Sequence, residues 1–474
     1  MAVKTEWPEE GKLVVNGPVG CADEVSNDDY RFLAVGLPAE VERLKQAGYL
    51  DAAMKACDEL LAEGVTPELA ACLRVERHRM GRLAQQFCVT REAALAAIRT
   101  EWPEFTEEQL DDLVARKRID WRFIDGEQRF LDNFLDSLRV YPQEVLGLKK
   151  EESRDIEARD AMLERMHEKG GLTCEINLKA AIDIPGATPG EMLRAWLPVP
   201  AACPQQSDID VYDWTPGVLV AKEDAPARTA FWGSRENHSF EASYRYRIHA
   251  PYVDTLTPAP AEHVVADDTV TEDDLSQLAP HIMFTPYLIA LTERVVGEVE
   301  RPIDQARAIY DYITKNVDYR YQPSYAQLDC IPDGCAKSLR GDCGVMALTF
   351  ITMCRIAGIP ARWQSGLYVS PDYVGPHDWA MFYTDEFGWL WADCSFGSSA
   401  RREGNEARRL HYFGNLDPWR MVANSQYQAE LTPASNGVRW DPFDNQMGEA
   451  TVEGRGCDEA EMRRSIELIE MREL

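Results

Sequence analysis

Three residues that could perform nucleophilic chemistry follow one another between Arg340 and Phe396, namely Cys343, His377 and Asp393. A cysteine sulfur can attack a carbonyl carbon, and a histidine can take the thiol proton and later deliver it to a leaving amine. A carboxylate can fix the tautomer of the imidazole and stabilise its charged form. Each residue type is ordinary when it occurs alone. Their order and spacing together predict a catalytic triad.

Cys343 is predicted to begin a helix. Gly341 permits a tight turn before it, and apolar residues then recur at helical spacing until Gly358 and Pro360 end the run. The unsatisfied N–H groups and positive dipole end at a helix start favour thiolate over thiol, and they can stabilise an oxyanion. We therefore expect the pKa of Cys343 to lie below the ~8.5 of a free cysteine.

His377 and Asp393 are predicted to lie on the two strands of a hairpin. His377 opens an apolar segment, Asp393 lies near the end of the next one, and Asp385 is the midpoint between them, in a turn-like segment. A hairpin centred on Asp385 makes His377 and Asp393 direct cross-strand partners. Because side chains alternate between the two faces of a sheet and the separation is even, both residues also stay on one face when the strand pairing shifts by two residues. A shift by one residue places them on opposite faces.

The rest of the chain changes its hydrophobic period several times, and these changes predict the domain order. Residues 1–28 are interpreted as a leader, 29–170 as a helical domain, 171–262 as an antiparallel β domain of sandwich type, 263–425 as the catalytic domain and 426–474 as a C-terminal extension. Thr66-Pro67 and the capping box beginning at Thr106 are typical helix starts. Alternating apolar residues at 172–178 and 240–246 indicate strands. Residues 458–474 are predicted to form a capped amphipathic helix.

Composition narrows the classes of partner. The chain has 474 residues, with 50 basic against 80 acidic side chains and a formal charge of −30. Such a field repels phosphate backbones and anionic lipid, so we expect neither nucleic-acid nor membrane binding. The N-terminus lacks the basic and apolar regions of a secretory signal, and the 12 cysteines are scattered rather than clustered. Both features favour a cytoplasmic location.

The motifs around the three residues resemble the transglutaminase-like superfamily, in particular its bacterial members. The motifs that carry the resemblance are Arg340-Gly341-Asp342-Cys343, Ala357-Gly358-Ile359-Pro360-Ala361-Arg362, His377-Asp378-Trp379-Ala380 and Gly388-Trp389-Leu390-Trp391-Ala392-Asp393. The resemblance implies an α+β, papain-like core with Cys343 as nucleophile, His377 as base and Asp393 as orienting residue, preceded by an antiparallel β domain. The N-terminal helical domain lies outside the resemblance. No metal or other cofactor is implied, and no acidic calcium loop stands in this core.

Further residues are weaker candidates for the site. Tyr321 or Gln322 could supply an additional oxyanion donor, although loop polarity explains both equally well. Trp363 and Trp379 could line a substrate cleft, as could Trp389 and Trp391, but tryptophans of this kind are more often core residues. Cys330 and Cys335 could form a redox clip or bind a metal, yet no second ligand pair stands near them.

The sequence thus predicts a cysteine-dependent enzyme that transfers acyl groups from amides, most simply a peptidase or amidase acting on a peptide or protein. Water is the default acceptor, and an amine acceptor stays open. The alternatives are a protein-glutamine γ-glutamyltransferase, a peptide N-glycanase-like amidase, or a non-catalytic binding or scaffold protein that retains the core.

Overall fold

The computed structural model describes residues 3–6, 25–140, 142, 154–257, 262–266 and 269–474. Most of the predicted leader, 1–28, lies outside these residues. The chain divides into two compact units. The helical unit contains the described residues of Pro8–Glu152 together with Arg320–Asp329. The mixed unit contains the described residues of Met1–Trp7, Ser153–Tyr319 and Cys330–Leu474. The predicted α+β class, with N-terminal helices and antiparallel sheets, is confirmed.

The helical unit consists of short helices and one small sheet. Its helices span Ala39–Gln46, Leu50–Glu63, Pro67–Gln86, Arg91–Glu101, Glu107–Ala115 and Phe134–Val140, with a 3-10 helix at Asn27–Val35. The sheet has the strand order Val89–Thr90, Glu127–Phe130, Trp121–Ile124. Thr66 and Thr106 cap the helices that follow them, and the capping box predicted at Thr106 is confirmed.

The segment Arg320–Asp329 folds with the helical unit, which corrects its assignment to the catalytic domain. The fully buried Arg79 holds it, with Nε donating to the carbonyl of Ala326 at 2.7 Å and Nη2 to Asp329 Oδ1 at 3.0 Å. Lys45 Nζ also donates to Asp329, at 3.1 Å. Local sequence did not indicate this, because the cations that hold the segment lie some 250 residues earlier in the chain.

The predicted boundary at 170 was also too late. The helix Arg154–Lys169 belongs to the mixed unit, where it buries Met162, Leu163 and Met166. Helical period indicated the element correctly but carries no information about the unit against which the helix packs.

Two antiparallel sheets of the mixed unit draw on distant parts of the chain. One has the strand order Val3–Glu6, Arg463–Glu473, Gly171–Asp183, Ser239–Pro251, Gln206–Tyr212. The other has the order Arg455–Gly456, Glu449–Val452, Leu193–Pro198, Thr229–Ser234, Leu219–Val220. The predicted β domain therefore includes strands from the C-terminal extension.

The predicted C-terminal helix was wrong, because this segment forms the strand Arg463–Glu473. Ile466 and Leu468 are buried two residues apart, which is the period of a strand. The capping box at Asp458 exists, but it closes only the 3-10 turn Glu459–Glu461. The cap was predicted correctly, but the long helix predicted after it does not form.

The third large sheet of the mixed unit lies under a buried helix. Its strand order is Phe413–Gly414, Gly388–Ala392, Val374–Thr384, Ala361–Val369, Arg420–Asn424. The surrounding helices span Pro286–Val296, Pro302–Asn316, Ile331–Ser338, Cys343–Ile356, Cys394–Arg402 and Glu406–His411. In the helix Cys343–Ile356, Phe350 packs edge-on against Phe382 of the sheet at 5.6 Å between ring centroids. Within the described part of the chain, no helix combines the length and apolar character needed to cross a bilayer.

Gly366 should be the least replaceable glycine of this sheet. A Cβ there would lie 2.0 Å from the carbonyl oxygen of Met421 on the adjacent strand. We expect Gly366→Ala to lower the free energy of unfolding of the mixed unit by about 1–3 kcal/mol. Calorimetric unfolding of the purified protein measures the loss as a lower midpoint of that unit's transition.

Gly334→Ala is the matched control. Gly334 lies inside the helix Ile331–Ser338 of the same unit, and an added Cβ would meet no atom within 4 Å. Because alanine favours helix more than glycine does, this change should stabilise the unit by up to about 1 kcal/mol. Equal destabilisation by both changes would contradict the close approach of the two strands.

Candidate active site

The helix Cys343–Ile356 begins where the sequence predicts it. Asp342 caps it by accepting the backbone N–H of Val345 at 3.1 Å. Gly341 is required by space, since a Cβ there would lie 2.3 Å from Cγ1 of Val345. The partly exposed Cys343 is therefore the first residue of a capped and buried helix.

The hairpin carrying His377 and Asp393 is shifted from the predicted register. Thr384 pairs with Gly388, so the turn is centred one residue later than Asp385. The second strand ends at Ala392, and Asp393 caps the next helix instead of lying within the strand. His377 and Asp393 are consequently diagonal neighbours rather than direct partners. The strand pairing has moved by two residues, which does not change the face that each side chain occupies, so both still lie on one face of the sheet.

The structure brings His377 and Asp393 into direct contact. His377 Nε2 lies 2.7 Å from Asp393 Oδ2, and both side chains are buried. The other carboxylate oxygen of Asp393 accepts the backbone N–H of Phe396 and the hydroxyl of Ser395, each at 2.9 Å. The helix start thus fixes the carboxylate, and the carboxylate fixes the imidazole.

Arg420 is a buried partner of this pair that the sequence reasoning missed. Its Nη1 donates to Asp393 Oδ2 at 2.8 Å, and its Nη2 donates to Asp417 Oδ2 at the same distance. Tyr412 Oη also donates to Asp417 Oδ2, at 3.0 Å. The buried guanidinium therefore bridges two buried carboxylates. A signal was present, because Asp417 and Arg420 flank the start of a strand, but spacing alone does not direct an arginine inward.

These contacts set the charges of the pair. Burial opposes ionisation of Asp393, but His377 and Arg420 outweigh it and hold the pKa of this carboxyl well below its usual range. Burial lowers the pKa of His377, and Asp393 only partly offsets that effect. The pair therefore rests as a neutral imidazole beside an ionised carboxylate. Because Nε2 contacts Asp393, Nδ1 is the nitrogen left to accept another proton.

The Cys343 thiol has a different partner from the one expected. Its Sγ donates to Oδ2 of Asp378, the residue after His377, at 3.2 Å. Burial raises the pKa of Cys343 well above its ordinary value, and the nearby carboxylates of Asp378 and Asp342 raise it further. Burial and these two carboxylates thus act against the acidified thiol that the helix start predicts. The alternation of the strand could have revealed Asp378, the one carboxylate on a face shared with Ala380 and Phe382.

The weaker candidates have mostly structural contacts. Tyr321 and Gln322 belong to the helical unit, where the Tyr321 N–H donates to Ser137 Oγ and the Gln322 amide donates to the carbonyls of Arg320 and Tyr321. A role for either as oxyanion donor stays a prediction.

The tryptophans that could line a cleft are buried. Trp379 Nε1 donates to Gln364 Oε1 at 2.8 Å, and Trp391 Nε1 donates to the same oxygen. Trp363 packs edge-on against Tyr427. Contact of Trp363 or Trp379 with a substrate stays a prediction, since in this structure both indoles belong to the core.

Cys330 and Cys335 are separate thiols in the described part of the chain. Cys330 Sγ donates to the carbonyl of His281 at 3.2 Å, and Cys335 is buried in the following helix. The searched, described residues contain no group of three or more His, Cys, Asp or Glu side chains arranged to hold a metal ion.

Comparison with solved structures gives distant similarities. A candidate cysteine protease from Cytophaga hutchinsonii is 15% identical, with a TM-score of 0.41 over 63% of this chain and 91% of the other. The periplasmic domain of TgpA from Pseudomonas aeruginosa is 14% identical, with a TM-score of 0.27 over 52% of this chain and 95% of the other. A candidate protease from Parabacteroides distasonis is 13% identical, with a TM-score of 0.22 over 45% and 42%.

Comparison with curated proteins gave no match. Comparison with protein families matched residues 289–394 to the model described as the transglutaminase-like superfamily. That segment contains Cys343, His377 and Asp393. The resemblance predicted from the sequence is thereby confirmed: residues 289–394 of this chain carry a transglutaminase-like core.

Proposed function

We propose that this protein is a cysteine-dependent amide acyl-transfer enzyme, most simply a peptidase or amidase. The observation that carries the proposal is the buried contact between His377 Nε2 and Asp393 Oδ2, 2.7 Å long and supported by Arg420. A neutral imidazole held by an ionised carboxylate is the arrangement that a general base requires. The transglutaminase-like core supports the same reaction class.

The proposed reaction begins when Cys343 attacks the carbonyl carbon of an amide while its proton passes to Nδ1 of His377. The resulting imidazolium is stabilised by Asp393 and returns the proton to the leaving amine, so that an acyl-thioester remains on Cys343. Water, activated by the same imidazole, then releases the acid and regenerates the thiol. Backbone N–H groups at the start of the helix Cys343–Ile356 are the proposed oxyanion donors.

The proposed substrate is a peptide or protein, and we place the reaction in the cytoplasm because the cysteines are scattered. An amine could replace water as acceptor, which would make the enzyme a transamidating one. The core alone also fits a peptide N-glycanase-like amidase. The −30 formal charge supports neither nucleic acid nor an anionic membrane as a partner.

A specific observation favours one non-catalytic alternative. The Cys343 thiol is hydrogen-bonded to Asp378, and the pKa of Cys343 is raised, mainly by burial. A scaffold that merely retains the core would keep such an inert thiol. The experiment below separates this alternative from the enzyme.

Turnover should depend on Cys343 and not on a comparable thiol. The purified protein is incubated with a peptide pool, intact N-glycopeptides and glutamine–amine pairs, and products are identified by mass spectrometry. We expect Cys343→Ala to abolish turnover and His377→Ala to lower kcat/KM by about 10²–10⁴-fold, the usual contribution of a general base.

Cys330→Ala is the matched control, because Cys330 is also partly exposed and also stands at the start of a helix. It should leave turnover unchanged. The scaffold interpretation is supported instead if no substrate class is turned over, or if turnover survives in Cys343→Ala. The product itself distinguishes hydrolysis, deglycosylation and transamidation.

Arg420 should set the pH range of the reaction. Its positive charge lowers the pKa of His377, so Arg420→Gln should raise that pKa. Because the base must be neutral to accept a proton, the acidic limb of kcat/KM should move to higher pH.

Two further variants separate this effect from simple destabilisation. Arg420→Lys retains the charge, so its acidic limb should stay close to that of the wild type even if its rate falls. Arg409→Lys alters another buried arginine, paired with Asp311 and Glu406, and should affect stability alone. An unshifted limb in Arg420→Gln would exclude electrostatic control of His377 by Arg420.

A further inference from the structure

A second carboxylate lies beside the one that holds the thiol. Asp378 pairs directly with Ser365 on the neighbouring strand, and Ser365 pairs with Asn424 on the next. The Ser365 hydroxyl and the Asn424 amide both donate to Oδ1 of Asp444, at 2.5 and 3.1 Å. Three adjacent strands thus present a polar row, and Asp444 binds across it.

Gln446 connects this row to the candidate triad. Its Nε2 donates to Oδ1 of Asp378 at 2.5 Å and to the backbone carbonyl of His377 at 2.9 Å. The Cys343 thiol occupies the other oxygen of Asp378. Asp444 and Gln446 come from the C-terminal segment, outside the family match at 289–394.

Asp378 and Asp444 lie within hydrogen-bonding range of each other, and two carboxylates can share such a contact only by sharing a proton. Burial raises the pKa of both carboxyls, that of Asp444 to about 7. The other titratable or charged groups that face the pair are Cys343, Asp342, Asp441, Arg439 and Tyr427. Arg439 is bound to Glu449 by two hydrogen bonds of 2.8 and 3.1 Å. The pair therefore retains a proton to higher pH than a free carboxyl would.

We propose that Asp378 is a positioning residue that holds Cys343 as a neutral thiol in the resting protein, and that Asp444 and Gln446 set how strongly it does so. This inference rests on the proposed function and deepens it. The sulfur must leave its hydrogen bond to Asp378 before its proton can pass to His377. Asp444 weakens the hold by keeping the shared proton on the pair, because a protonated Asp378 repels a thiolate less than an ionised one.

The two carboxylates should therefore act in opposite directions. Asp378→Asn removes the charge beside the sulfur and lowers the thiol pKa, so Cys343 should react faster. Asp444→Asn leaves Asp378 as the sole carrier of the negative charge and raises the thiol pKa, so Cys343 should react more slowly. A shift of one pKa unit corresponds to a roughly tenfold change in thiolate fraction at a given pH.

The experiment measures iodoacetamide labelling of Cys343 in the full chain without substrate, from pH 6.5 to 8.5, with each cysteine resolved by peptide mass spectrometry. We expect labelling about tenfold faster in Asp378→Asn and several-fold slower in Asp444→Asn. The double variant should match Asp378→Asn, because Asp444 acts through Asp378. Labelling of Cys330 in the same samples is the internal control.

Asp274→Asn is the control for general loosening, since Asp274 is a buried carboxylate of the same unit bound instead by Arg362. Its labelling profile should equal that of the wild type. Faster labelling in every variant, or no change in any, overturns the proposal. Because no substrate is present, this result is independent of turnover: the positioning role could stand while hydrolysis fails, or fail while hydrolysis stands.

Discussion

The candidate site depends on one buried carboxylate, Asp393, whose charge must be maintained away from water. An isolated ionised carboxylate in a protein interior is costly, and it persists only when donors surround it. Here the imidazole of His377, the guanidinium of Arg420 and two donors at a helix start supply them. Removing any one of these donors raises the cost of the charge, so the orientation of His377 is tied to the packing of the whole sheet.

The pair of buried carboxyls Asp378 and Asp444 is stabilised in a different way from Asp393. Among the described residues, the side-chain hydrogen bonds of Asp378 and Asp444 come from uncharged groups, and burial raises the pKa of both carboxyls. The strand Val374–Thr384 therefore presents a neutral base on one face and an acidic group on the other, in consecutive residues. The sulfur of Cys343 contacts the acidic group, with Sγ 3.2 Å from Oδ2 of Asp378.

Much of this could be predicted from local sequence, and the failures have physical causes. The start of the Cys343 helix was predictable because the turn, the cap and the apolar period all lie within about twenty residues. The shared face of His377 and Asp393 was predictable because a shift of the strand pairing by two residues leaves both side chains on the same face. The thiol environment was not predictable from the helix start, since burial and Asp378 raise the pKa of Cys343. Arg420, Asp444 and Gln446 reach the site from other strands and loops. The prediction of a C-terminal helix failed because a cap determines where a helix begins and not how far it continues.

The strand Arg463–Glu473 pairs with Val3–Glu6 on one side and with Gly171–Asp183 on the other. Val3–Glu6 lies near the opposite end of the chain from it. During synthesis, the sheet cannot be completed until this strand has left the ribosome. Asp444 and Gln446 likewise emerge after Cys343, His377 and Asp393. The residues that would react, and Asp378 that would hold the thiol, are thus made before the two residues that would set the strength of that hold.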